Sequence, residues 1–185
     1  MKSGQSTQHF ELKTQSDFLL PGASSFSVVS RSAAETRNWG KKLGRILKGG
    51  EVIGLTGELG TGKTCFVRGL AEGLEVSKEA WIRSPSFTLI NEYDCRLPIY
   101  HIDLYRIEGS REMEELNLRE YLFSDGVSVV EWFEHLPMGE VEESLRVEFS
   151  YVNTRTRRLA FTAYGNHYEE VLKRVQLKRF KWIKG

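Results

Sequence analysis

One stretch constrains this chain more than any other: Gly57-Glu58-Leu59-Gly60-Thr61-Gly62-Lys63-Thr64. It spells G-x-x-x-x-G-K-[ST], a phosphate-cradling loop. Its glycines open backbone conformations closed to other residues and let N–H groups approach an anion. Lys63 brings a compact positive charge to the outer phosphates, and the Thr64 hydroxyl is suited to Mg²⁺. Residues 51–55 before it are an apolar run fit for a buried parallel strand. After it Phe66, Val67, Leu70 and Leu74 recur at helical spacing, with Gly73 near the stop. A loop set between such a strand and such a helix presents a helix N-terminus to the phosphates. The sequence therefore assigns Glu58, Leu59, Gly60, Thr61, Gly62, Lys63, Thr64 and the adjoining Cys65 to nucleotide binding.

Hydrolysis needs more than a cradle. It needs carboxylates near the metal and the attacking water. Two acids stand at strand ends: Asp103 closes Ile99-Tyr100-His101-Ile102, and Glu131 closes Val127-Ser128-Val129-Val130. In open α/β sheets the carboxyl ends of the strands line the ligand crevice. Both acids are thus expected to face Thr64, with Asp103 and Glu131 as metal-side or catalytic acids. Read as bland residues, either one caps or salt-bridges. His101 reads equally as a residue orienting the site and as a buried structural histidine. The Thr88 hydroxyl reads as a γ-phosphate sensor or as a simple strand threonine.

The rest of the chain suits a doubly covered sheet. The expected class is α/β, a P-loop NTPase-like three-layer sandwich with a mostly parallel central sheet and an antiparallel hairpin. Residues 1–25 read as a weakly ordered tail ending near Pro21-Gly22. Residues 26–185 read as one domain with a basic C-terminal helix. A strand is expected over 26–30. Ser32-Ala33-Ala34-Glu35 spells a capping box for a helix carrying Trp39, Leu43, Ile46 and Leu47, closed by Gly49-Gly50. Residues 84–90 begin as a turn and become strand-like. A second strand runs over 97–105, with a turn at 94–96 between the two. Residues 110–122 read as a helix with Met113 and Leu116 inward. Residues 145–152 and 158–164 alternate as a hairpin across Asn153-Thr154. Tyr168, Val171, Leu172 and Val175 mark a last amphipathic helix. The basic end from Lys173 holds Phe180 and Trp182 among its cations; it reads as a solvated helix face, with RNA contact as the rival.

Composition excludes little but bounds the partners. The 185 residues carry a net charge of +1, so no global field draws nucleic acid or a membrane surface. Only Cys65 and Cys95 are present, without metal-ligand spacing. Both read as reduced cytoplasmic thiols, Cys65 as a small buried residue in a helix's first turn. No apolar run has the length of a membrane span, and the first residues lack a secretory pattern.

In order along the chain, Gly-Glu-Leu-Gly-Thr-Gly-Lys-Thr at 57–64, Ser-Pro-Ser-Phe-Thr-Leu at 84–89, His-Ile-Asp-Leu-Tyr-Arg at 101–106 and Val-Glu-Trp at 130–132 resemble the TsaE family. The resemblance extends over residues 26–161. It implies a small P-loop fold that hydrolyses Mg²⁺-ATP weakly by itself. It implies TsaD and TsaB as partners in forming threonylcarbamoyladenosine in tRNAs that read ANN codons, with hydrolysis resetting the complex and tRNA met through it. It places Lys63 and Thr64 on phosphate and metal, Asp103 and Glu131 as the acids, Trp132 beside the nucleotide and Thr36 near the base. Ser84 and Thr88 fall in its first switch. Ser86 stands where the family usually has Thr. Phe133 stands where it often has Pro. A small-molecule kinase and a non-hydrolysing nucleotide-gated module are the rival readings. No Asn-Lys-x-Asp stretch supports a GTPase.

Overall fold

The computed structural model describes residues 24–107 and 110–180. Of the tail expected over 1–25, residues 1–23 lie outside the described residues, as do the cations beyond residue 180. In chain order, β1 (Ser25–Ser30) leads to α1 (Ala33–Gly44), β2 (Glu51–Thr56), α2 (Lys63–Gly73), β3 (Ile90–Tyr93) and β4 (Ile99–Asp103). The short helices α3 (Ser110–Glu115) and α4 (Leu118–Leu122) follow, then β5 (Val127–Glu131) and a single 3₁₀ turn (Phe133–His135). β6 (Ser144–Tyr151), β7 (Arg157–Tyr164) and α5 (Asn166–Phe180) complete the order.

Among the described residues one sheet holds seven strands in the order β1-β7-β6-β2-β5-β4-β3. Its centre, β6-β2-β5-β4, is parallel. The β7–β1 side and the β3 edge are antiparallel. Side chains alternate across β2. Ile53 and Leu55 join the apolar cluster that α1, α2 and α5 cover. Val52 joins the opposite cluster with Ile102, Leu118, Leu122, Val130 and Phe133. β2 is buried on both faces, as its unbroken apolar run requires.

Several expected boundaries move, each for a local reason. Ser32 caps α1, accepting the Glu35 N–H at 3.1 Å. The Glu35 carboxylate reaches back to the Arg31 N–H at 2.8 Å, one residue beyond a standard capping box. α1 ends at Gly44, not at Gly49-Gly50. The Arg96 guanidinium donates to the carbonyls of Gly44 (3.1 Å) and Leu47 (3.3 Å), satisfying the helix end. Gly49 and Gly50, both at positive φ, instead form the bend into β2. The helix expected over 110–122 is two helices, because Asn117 takes a left-handed conformation with φ 47°. Leu89 does the same with φ 63°, so residues 84–89 stay irregular and β3 starts only at Ile90. The hairpin turn spans residues 152–156 rather than two residues. The Asn153 side chain accepts the N–H groups of Arg155 (3.0 Å) and Thr156 (2.9 Å) and so favours the longer loop.

Candidate functional site

The 57–64 loop leaves the C-terminal end of β2, at the centre of the sheet. Gly57, Gly60 and Gly62 all take positive φ. At Gly57 there is a steric reason as well: a Cβ there would stand 2.2 Å from the Phe149 carbonyl oxygen of β6. Thr61 closes the loop internally, its hydroxyl donating to the Glu58 carbonyl at 2.7 Å. No side chain caps α2 at Gly62, so its first N–H groups are left to the loop side.

Strand parity assembles the charged groups. His101 and Asp103 on β4 and Glu131 on β5 project from the face of the sheet that α2 covers, and Asp103 and Glu131 are paired in register. The Thr64 hydroxyl donates to Glu131 Oε1 at 2.9 Å and lies 3.2 Å from Oε2. His101 Nε2 lies 2.9 Å from the same Oε1. Asp103 accepts the Tyr105 N–H at 3.0 Å on Oδ1 and the Ser84 hydroxyl on Oδ2. Both acids are almost wholly buried.

The Lys63 ammonium donates to the carbonyls of Gly57 (2.6 Å) and Glu58 (3.0 Å). It also sits 4.0 Å above the Trp132 ring. Burial pushes its pKa down, while Glu131, Glu134 and Asp103 pull it back up. A cation held among carboxylates and kept partly from water is suited to phosphate oxygens.

A cavity of about 340 Å³ lies among these groups, lined by Leu59, Gly60, Gly62, Lys63, Thr64, Cys65, Ser84, Ser86, Asp103, Tyr105, Arg106, Glu131 and Trp132. Larger hollows lie elsewhere among the described residues. One of about 690 Å³ is lined by Gly50, Val52 and Tyr168, toward the opposite end of β2. Another, of about 750 Å³, lies beside Phe133, Met138 and Arg146. Neither contains the glycine loop or the paired acids, so chemistry rather than size singles out the smaller cavity.

Most of the residues expected at the site line this cavity, but four do not. The Thr36 hydroxyl pairs with Ser30 at 2.8 Å, and only its methyl comes within 3.6 Å of where a Gly62 Cβ would sit. Thr88 is exposed and donates to Asn91 at 2.9 Å. Glu58 and Thr61 contribute backbone and turn closure from behind the loop. Cys65 is half-buried rather than buried, with its thiol 3.2 Å from the Ala33 carbonyl. Two residues went unread in the sequence. Tyr105 lines the cavity, and Tyr151 donates to the Leu59 carbonyl at 3.1 Å. Tyr151 lies on β6, ninety-two residues from its partner, and no local pattern announces such a contact.

Residues 30–159 match the family model described as Threonylcarbamoyl adenosine biosynthesis protein TsaE. The chain belongs to the TsaE family. The tRNA threonylcarbamoyladenosine biosynthesis protein TsaE of Bacillus subtilis is 41% identical over 136 residues, covering 73% of this chain and 84% of that protein. The TsaE of Treponema pallidum is 46% identical over 123 residues, 64% of this chain and 90% of that one. The crystal structure of Bacillus subtilis YdiB superimposes with a TM-score of 0.70 at 33% identity, covering 85% of this chain and 97% of that one. The matched TsaE segment contains the loop, both acids and Trp132. It stops before α5.

Proposed function

We propose that this TsaE-family chain is a Mg²⁺-dependent ATPase acting in threonylcarbamoyladenosine formation on tRNAs that read ANN codons. It works in the cytoplasm with TsaD and TsaB, meets tRNA through that complex, and resets the complex by hydrolysis. The observation that carries the reading is the 2.9 Å bond between Thr64 of the loop and Glu131 of the neighbouring strand. It joins the cradle's hydroxyl to a buried carboxylate, a pair of hard oxygen donors. That pair suits Mg²⁺, which takes one or two protein oxygens and completes its shell with water and substrate phosphates.

When bound, Mg²⁺ would neutralise phosphate charge. Thr64 and Glu131 would hold it, and Asp103 is the register partner of Glu131 on the neighbouring strand. The loop N–H groups and Lys63 bind and orient the phosphates. Asp103 orients the attacking water; its two oxygens are held by Ser84 and the Tyr105 N–H, so its direction is set in advance. Trp132 shields the cation side of the cavity through its contact with Lys63.

The test is phosphate release by the purified chain, alone and with TsaD and TsaB. Lys63→Ala and Asp103→Ala each lower turnover by at least about 100-fold, the scale of one lost charge-stabilising contact, while thermal unfolding stays cooperative. Unchanged turnover in either variant refutes the assignment. Phosphate transferred to a metabolite in place of water would make the chain a kinase.

A further inference from the structure

Buried polar atoms almost always find partners, so a bare one needs a reason. Among the described residues a single buried side-chain nitrogen or oxygen lacks a hydrogen bond, His101 Nδ1. The ring is fully buried on β4, between its register partners Val129 of β5 and Asn91 of β3, with the Tyr93 ring 6.4 Å away between centroids. An apolar side chain would fill that volume without the desolvation penalty. What the imidazole adds is its other nitrogen, 2.9 Å from Glu131 Oε1. A carboxylate oxygen only accepts, so Nε2 donates. His101 is paired in register with Val129, and Asp103 with Glu131. The ring therefore meets the carboxylate diagonally, from one pleat behind it. Thr64 approaches the same carboxylate from the loop. The two donors pin Oε1 between strand and loop, and the plane of the carboxylate is set by them.

We propose that His101 is the positioning residue of this site. It orients Glu131 for the divalent cation and touches neither cation nor nucleotide. The proposal rests on the reading of Glu131 as a metal-side acid. Groups that orient a ligating carboxylate commonly alter metal affinity by about 10–100-fold when removed.

The experiment uses the full chain with ATP and Mn²⁺, free Mn²⁺ being counted by electron paramagnetic resonance. His101→Phe keeps the ring volume and removes the donor; Mn²⁺ affinity is expected to fall by about 10–100-fold. In His101→Gln the side-chain amide reaches the carboxylate and restores most of the affinity. His101→Asn is one bond too short and does not. In steady state the Mg²⁺ concentration needed for half-activation rises, whereas KM for ATP at saturating Mg²⁺ stays within about twofold of the parent, well below the change expected for a lost ligand-orienting bond. Melting curves accompany every variant. If His101→Phe does not fold, the Gln and Asn pair decides alone, and equal affinities in the two overturn the proposal. Wild-type Mn²⁺ affinity in His101→Phe overturns it too. Glu131→Gln separates the two readings. If it weakens Mn²⁺ binding and His101→Phe does not, only the role of His101 falls. If Glu131→Gln leaves affinity unchanged, the metal-side assignment of Glu131 falls, and the proposal with it.

Discussion

Trp132 holds a backbone conformation that few tryptophans adopt, with φ 59°. Such a residue costs of order 1–3 kcal/mol and persists only where its surroundings over-determine it. Here the Tyr105 ring lies 4.9 Å away and the His135 ring 5.7 Å away, between centroids. His135 Nδ1 is in turn 2.9 Å from the Leu104 carbonyl oxygen. The bend sets the indole face against the Lys63 ammonium. Cys95 is a residue of a different kind, packed at the edge of the larger core. Burial, assisted by the Asp94 charge, pushes its thiol from 9.0 up to about 11. Below pH 9 both folded and unfolded chains keep the proton. Between pH 9 and about 11 the unfolded thiol ionises and the folded one does not. The folded state then binds more protons, and stability falls as pH rises. Urea midpoints measured across that interval should fall less steeply in Cys95→Ala than in the parent. Tyr168 also has a raised pKa, mainly from burial, and its own contribution is lost above pH 10, so the variant retains some slope.

At the scale of elements, the position of the loop depends on how closely α1 and α2 approach. Gly40 and Gly44 on one helix face Gly69 and Gly73 on the other. A Cβ at Gly40 would stand 2.1 Å from the Phe66 carbonyl oxygen, and one at Gly69 only 1.8 Å from that of Arg37. Gly44 and Gly73 are similarly tight against Leu70 and Lys41 carbonyls. The obstacle in each case is backbone, which cannot swing aside as a side chain can. Glu72 bridges the same crossing to Arg37 and to Lys41. Gly73 reads in sequence as a helix stop, yet it also permits this contact. Gly-x-x-x-Gly spacing at 40/44 and 69/73 was the available signal. Gly40→Ala and Gly69→Ala should each cost at least about 1–3 kcal/mol, as overpacked sites do, read as a lower chemical denaturation midpoint. Because α2 carries Lys63 and Thr64, ATP turnover should fall with stability.

Across the whole molecule, the cavity gathers residues from four separate segments: 59–65, 84–86, 103–106 and 131–132. The parallel centre makes this possible, since β2, β5 and β4 lie side by side and end on one edge. A ligand held by all four segments binds the folded state alone. Mg²⁺-ATP at 100 times its Kd should therefore stabilise the chain by about 2.7 kcal/mol. For a chain of this size that corresponds to a Tm rise of about 5–10 °C. Calorimetry of the parent and of Lys63→Ala, with and without Mg²⁺-ATP, checks this; the rise should be lost in the variant.

Much of this was legible in the sequence because it is local. The glycine spelling of 57–64, the short strand that ends in Glu131, and the Ser32 cap each depend on residues a few positions apart. The resemblance to the TsaE family rested on four such short stretches in order. Tertiary structure alone decided what is not local. It turned the Thr88 hydroxyl to Asn91 and put Ser84 on Asp103. It fastened the loop to Tyr151 and broke the expected 110–122 helix at Asn117. It also brought Thr64 and His101 to one oxygen of Glu131. Periodicity can say which face of a strand a side chain occupies, but the partner across that face depends on strand order and register, and these are set by burial summed over the whole core.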